Sequence, residues 1–319
     1  MRRPALGRSA GATYTGNCAH PPAMQAHHLN TLPWSAWIAL LRPVLSAGLC
    51  VCMALPAPST ANTFGKDRRE QQSVDLEHNR SVGLIVNKNG FAGTAFLVED
   101  ECTVMTNYHV AFAKEVNRET GNLRTYRGKK GERSEFFIGR NGSGPLDFKI
   151  KVGATVVGIG TYAKNDARGR TGDYVIYRLD ECVGRQFGFL KVKKTELDTS
   201  PAPVGRLKMI SYGASTSVKP GVAVEECRAH DNGPAWGLVG VDCTLEGGGS
   251  GSPIMERQQS GEWLVVGIAS FRENATSQIL PGYSSYHRNV MVYASAWNAA
   301  LEQTLREGSK AVPATPNRP

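Results

Sequence analysis

From Ser81 onward the chain is written in short apolar runs separated by turn signals, and that rhythm constrains its fold more than any other feature. The runs "SVGLIV", "FAGTAFLV" and "CTVMTNYHV" are divided by "NKNG" and "EDE". Asn89-Gly90 is a pair that a tight hairpin turn favours, so the three runs read as a meander. Further strands are expected at "DFKIKVGATVVGIG", "DYVIYRL", "RLKMISYGAS", "GVAVEECRAH", "WGLVGVDCT", "WLVVGIASF" and "NVMVYAS". Only "ASAWNAALEQTLRE" reads as a helix, with Trp297, Leu301 and Leu305 at fourfold spacing along one face. The pattern is all-β at barrel spacing, and a break near "KVKKTELDTSPAPVG" divides the strands evenly between two barrels. Residues 308–319, rich in Pro and polar residues, are expected to form a disordered tail.

Residues 1–61 read as an address rather than part of that fold. Arg42 and Pro43 precede the apolar run "VLSAGLCVCMAL", and "PAPSTA" follows with Ser59 and Ala61 at the small-residue positions of a cleavage site. A run this short cannot span a bilayer, which takes about 20 residues. A longer uncleaved anchor starting near Trp34 is the rival reading, but Arg42 and Pro43 interrupt it. The expectation is a signal peptide cut after Ala61, a secreted or periplasmic protein and no stable membrane insertion after the cut. Residues 62–80 are then an N-terminal extension.

Removing the leader changes the charge and cysteine arguments. The chain has 37 basic and 28 acidic residues, with Arg2, Arg3, Arg8 and Arg42 all in the leader and no acid there. The remaining excess is modest, and the densest basic cluster, "YRGKKGER", lacks the interleaved aromatics of a base-stacking platform. No nucleic-acid partner is expected. Cys18, Cys50 and Cys52 leave with the leader, so Cys102, Cys182, Cys227 and Cys243 remain, an even number in an exported chain. None lies in a C-x-x-C pair, which argues against zinc. A turn at Asp231 to Pro234 would fold Cys227 back on Cys243, leaving Cys102 to pair with Cys182.

The stretch "LEGGGSGSPIM", Leu245 to Met255, has a linker's composition yet lies between two strand-like runs. Small residues there suit a backbone that must turn sharply around a reactive side chain, with Ser250 the candidate nucleophile and Ser252 its rival. Of the histidines beyond the leader, His78, His109, His230 and His287, only His109 closes a strongly apolar strand, "TVMTNYHV". Asp173 opens another, "DYVIYRL".

In the order His, Asp, Ser, the segments "TNYHV", "GDYVIYRL" and "GGSGSP" resemble the three active-site signatures of the chymotrypsin-like serine peptidases. The likeness is greatest to their bacterial trypsin-like and glutamyl-endopeptidase branch, and it takes in "GTAFLV", "GIASF" and the C-terminal helix. It implies two six-stranded antiparallel β-barrels packed together and followed by an α-helix. The domain would run from 81 to 307, with a first barrel at about 81–190 and a second at about 200–307. It implies hydrolysis of protein or peptide substrates with no cofactor and no metal. His109, Asp173 and Ser250 would form the triad, and the N–H groups of Gly248 and Ser250 the oxyanion hole.

The same resemblance makes the departures informative. Gly249 stands where digestive members carry the acid that pairs with a newly cut N-terminus, so activation by that ion pair is excluded. Val110 replaces a common cysteine. Thr244, at the base of the specificity pocket, offers no carboxylate to Lys or Arg. Ala269 and Ser270 stand on the strand where glutamate-directed relatives place a histidine. Ser270, Phe271 and Arg272 should line the substrate strand, with Arg272 either at the pocket entrance or on a solvated rim. A noncatalytic binding protein on the same fold is the competing expectation.

Overall fold

The strands fall where apolar residues recur at alternate positions, so that each strand turns at least one face into a core. The computed structural model describes residues 62–116, 123–141, 147–194, 206–213, 221–232, 237–276 and 278–310. The leader and most of the expected barrel junction and tail lie outside them. Val82–Asn87 pairs antiparallel with Ala92–Leu97 around the Asn89-Gly90 turn, where the Gly90 N–H donates to Asn87 O at 2.9 Å. Thr103–Thr106, Arg133–Arg140, Phe148–Ile159 and Val175–Leu179 complete a closed six-stranded barrel. Arg206–Ser211, Val222–Asn232, Leu238–Val241, Pro253–Arg257, Trp263–Arg272 and Asn289–Tyr293 close the second barrel through the pairing of its first two strands.

Each barrel has its own interior. Ile85, Leu97, Val104, Phe136, Val152 and Tyr177 fill the first; Leu207, Met209, Val241, Ile254, Val266 and Met291 fill the second. Residues of opposite parity on the same strands, among them Leu84, Phe96, Met105, Ile176, Ile210, Met255 and Val265, share a third cluster that draws on both barrels. This is the period-2 alternation of a strand with apolar partners on both sides. The helix Asn298–Lys310 runs three residues past the expected end of the domain at 307. Trp297, just before it, and Leu301 are buried in the shared cluster. No described helix is long and apolar enough to cross a membrane.

The four described cysteines pair as Cys102–Cys182 and Cys227–Cys243. The segment after Ala61 is built into the second barrel. Thr63–Phe64 runs parallel to Ile279–Leu280, while Glu70–Gln72 adds a further strand beside Val222–Val224. Asn62, fully buried, pairs with Leu245 as an isolated bridge and donates through Nδ2 to Glu273 O at 3.0 Å.

Candidate active site

His109 does not close a strand, as its sequence setting suggested. The strand ends at Thr106, and Tyr108–Ala111 forms a single helical turn that carries the imidazole. Asn107 in extended geometry makes the transition, and its Nδ2 donates to Asp173 O at 2.8 Å. Buried Asn87, at the end of the first strand, donates to Val110 O at 3.0 Å and Ala113 O at 2.9 Å. Two amide side chains thus hold the histidine turn against the barrel.

Asp173 lies two residues ahead of the strand Val175–Leu179 and is wholly buried. Its Oδ1 accepts the His109 N–H at 3.0 Å and its Oδ2 faces His109 Nδ1 at 2.7 Å. Ser270 Oγ donates to the same Oδ2. Three donors satisfy a carboxylate that burial would otherwise make very costly. With Nδ1–H directed at Asp173, the imidazole is held in the tautomer that leaves Nε2 as an acceptor. Tyr162, packed on Tyr108, is close enough to Asp173 to feel its charge; burial first, then that charge, push its phenol well above the ordinary range.

Ser250 occupies the turn between Leu238–Val241 and Pro253–Arg257 and is half-buried. Its Oγ donates to Ser270 O at 3.2 Å. Among the described residues no hydrogen bond joins it to His109. Ser270 therefore touches both ends of the constellation, its hydroxyl on Asp173 and its carbonyl under Ser250. Ser252 is completely buried and its hydroxyl is used internally, donating to Gly249 O at 2.7 Å.

The glycines around Ser250 answer to the first barrel as well as to space for a ligand. A Cβ on Gly251, at φ +90°, would lie 2.0 Å from Thr94 O and 2.3 Å from Thr106 Oγ1. Gly248, at φ +83°, turns its carbonyl to Thr94, accepting from the Thr94 N–H at 3.0 Å and Oγ1 at 2.8 Å. Positive φ suits glycine and penalises any residue with a Cβ. Among the described residues neither the Gly248 N–H nor the Ser250 N–H donates to a protein acceptor.

Thr244 is buried, and it stands over a carboxylate that sequence reasoning missed. Its N–H donates to Glu225 Oε2 at 2.6 Å and its Oγ1 lies 3.3 Å from Oε1. Glu225 comes from the strand Val222–Asn232, is 2% exposed, and has its carboxyl pushed up to about 7 by burial, against the opposing pull of Thr244 and Arg68. Nothing in "VAVEECRAH" separates Glu225 from Glu226 except parity, which places 225 on the buried face. Arg68 Nη2 reaches Glu225 at 3.3 Å and Asp242 at 3.2 Å, and Arg69 Nη1 reaches Glu246 at 2.7 Å.

On the strand Trp263–Arg272, Phe271 lies under the Arg170 guanidinium, 4.7 Å from ring centroid to Cζ. Arg272 is partly buried, its Nη1 has no hydrogen-bond partner among the described residues, and burial lowers its pKa against the pull of Glu246. Its setting is thus a shielded wall rather than an open rim. Among the described residues no group of His, Cys, Asp and Glu side chains is arranged to hold a metal ion.

The fold matches that of a Glu endopeptidase solved in complex with MPD, with TM-score 0.52 and 16% identity over 78% of this chain and 99% of that one. A thermostable serine protease from an extremophilic microorganism superposes with TM-score 0.47 and 16% identity, over 73% of this chain and 98% of its own. No curated protein sequence matches significantly. A family profile described as a trypsin-like peptidase domain matches residues 93–268, more than half of the chain, and takes in His109, Asp173 and Ser250. The chain belongs to the trypsin-like peptidase family.

Proposed function

We propose that the chain is an exported serine endopeptidase that cleaves peptide bonds through an acyl-enzyme on Ser250. The observation that carries the reading is the buried Asp173 bound to both the backbone N–H and Nδ1 of His109, an arrangement that orients Nε2 for proton transfer. In the first step Ser250 Oγ attacks the scissile carbonyl carbon while His109 Nε2 takes its proton. Asp173 stabilises the imidazolium without being protonated. The oxyanion is received by the Gly248 and Ser250 N–H groups, each contributing on the order of 3 kcal/mol to lowering the barrier. Collapse breaks the C–N bond, His109 protonates the leaving amine, and water repeats the sequence on the ester. Ser252 is a poor rival because its hydroxyl is buried and engaged.

Residues 1–61 are the leader, removed after Ala61 on the way to the periplasm or the medium, and 81–307 form the peptidase domain, with 62–80 as its extension. Peptide substrates would lie along Ser270, Phe271 and Arg272 as an added strand. The neutral Thr244, a Glu225 carboxyl already engaged by Thr244 and Arg68, and the cation of Arg272 disfavour Lys or Arg in the specificity pocket. A noncatalytic binding role is the second reading, motivated by the Ser250 hydroxyl resting on Ser270 O. Hydrolysis of an unfolded protein substrate by the purified chain decides between them. Loss of cleavage in both His109→Ala and Ser250→Ala is expected; cleavage that persists in Ser250→Ala, or is missing from the folded wild type, would remove the proposal.

A further inference from the structure

The oxyanion donors sit on a loop, Glu246 to Gly251, whose two sides are held differently. On one side the first barrel grips it through Thr94, which donates to Gly248 O and Ser250 O. On the other side the Gly249 N–H returns to Glu246 O at 3.1 Å, so the loop's placement depends on where Leu245 and Glu246 are fixed. Gly249 itself has no side chain with which to anchor it.

The segment Asn62–Gln72 supplies that anchor. Asn62 bridges Leu245, and Arg69 Nη1 binds Glu246 Oε1 at 2.7 Å. Arg69 is pre-aimed by a two-pronged contact with Asp67, Nε to Oδ1 at 2.9 Å and Nη2 to Oδ2 at 2.7 Å. Both members of the Arg69–Glu246 pair are largely shielded, with side chains 14% and 6% exposed, so water screens the contact far less than at an open surface. Glu246 also packs on Gly213, where an added Cβ would lie 1.9 Å from Oε1, leaving the carboxylate little room to move. The same segment also binds Glu273 O through Asn62, and its Arg68 pairs with Asp242 and with Glu225, the carboxylate that holds the Thr244 N–H.

We infer that Arg69 is a positioning residue for the oxyanion-hole loop, acting through Glu246, and that Asn62–Gln72 is an activating clasp whose cation is a side chain. The inference rests on the serine-peptidase reading. It explains how a chain with Gly249 ahead of the nucleophile fixes its loop without an ion pair at that position. Donor placement matters here because a loop misplaced by even about 0.5 Å degrades a catalytic constellation.

Steady-state hydrolysis of a peptide ester by the full chain and its variants tests the clasp. Arg69→Ala should lower kcat on the order of 10- to 100-fold with KM changed less than about threefold, the signature of a contact felt in the transition state. Arg69→Lys should recover part of the loss. Affinity for a peptide aldehyde, whose adduct uses the oxyanion donors, should fall in parallel with kcat, whereas a merely structural role would not link the two. If Arg69→Ala does not fold by circular dichroism, Glu246→Gln replaces it with the same expectations. An active wild type with folded Arg69→Ala or Glu246→Gln retaining kcat within about twofold would overturn the clasp and leave the peptidase reading intact. An inactive folded wild type would overturn the reading on which the clasp depends.

Discussion

Replacing Glu225 with Gln should change how stability depends on pH. Glu225 is 2% exposed, accepts bonds from Thr244 and faces Arg68, yet burial dominates and its carboxyl titrates near 7, against an ordinary value of 4.5. The folded chain therefore holds this proton more tightly than the unfolded chain. Below about 4.5 both states are protonated and the contribution is complete; it is lost as the pH rises through about 7. At about 1.4 kcal/mol for each tenfold difference in acidity, the loss amounts to about 3 kcal/mol. Gln keeps an acceptor for the Thr244 N–H and cannot ionise. Urea denaturation between pH 4 and 8 should show the wild type losing on the order of 3 kcal/mol more than Glu225→Gln, with parallel curves at lower pH. Equal slopes across the whole range would refute the reasoning, because they would mean that Arg68 and Thr244 fully offset the burial of the charge.

Three further outcomes are expected. Ser270→Ala removes one of the hydrogen bonds that Asp173 accepts; loss of a bond to a charged group, about 2 kcal/mol, should lower kcat by roughly 10- to 30-fold in steady-state assays with KM little changed. Trp297→Ala empties a fully buried site in the shared core and should cost about 3–5 kcal/mol, read as a lower urea midpoint. In a panel of peptide esters differing only at the residue before the scissile bond, Lys and Arg should be the slowest cleaved, and Arg272→Ala should raise their rates relative to neutral residues by about tenfold.

The sequence made the barrels legible through strand alternation and singled out His109, Asp173 and Ser250 through three local settings, but the two barrel strands it hid are instructive. "RSEFFIGR" follows directly on the basic loop 126–133 and reads as its continuation, although Phe136 and Ile138 fill the first barrel. "PIMER" is masked by the glycine-rich turn before it and is only five residues long, yet Ile254 fills the second barrel and Met255 joins the shared core. "TVMTNYHV" reads as one strand because Val104, Met105, Tyr108 and Val110 are apolar, whereas the helical turn arises from tertiary contacts that no local pattern carries, such as Asn87 with Val110 O. Glu225, Arg68, Arg69 and Glu246 were invisible as parts of the site for the same reason. Charged residues in a strand or an N-terminal extension ordinarily face water, and only long-range pairing shows these to surround Thr244 and the loop that carries Ser250.

The central claim, an activated serine at position 250, is tested most directly by the intact mass of the purified chain before and after a fluorophosphonate, beside Ser250→Ala and Ser252→Ala. The account predicts one phosphonyl adduct in the wild type and in Ser252→Ala, and none in Ser250→Ala. A folded wild type that takes no adduct, or an adduct that survives in Ser250→Ala, would contradict it.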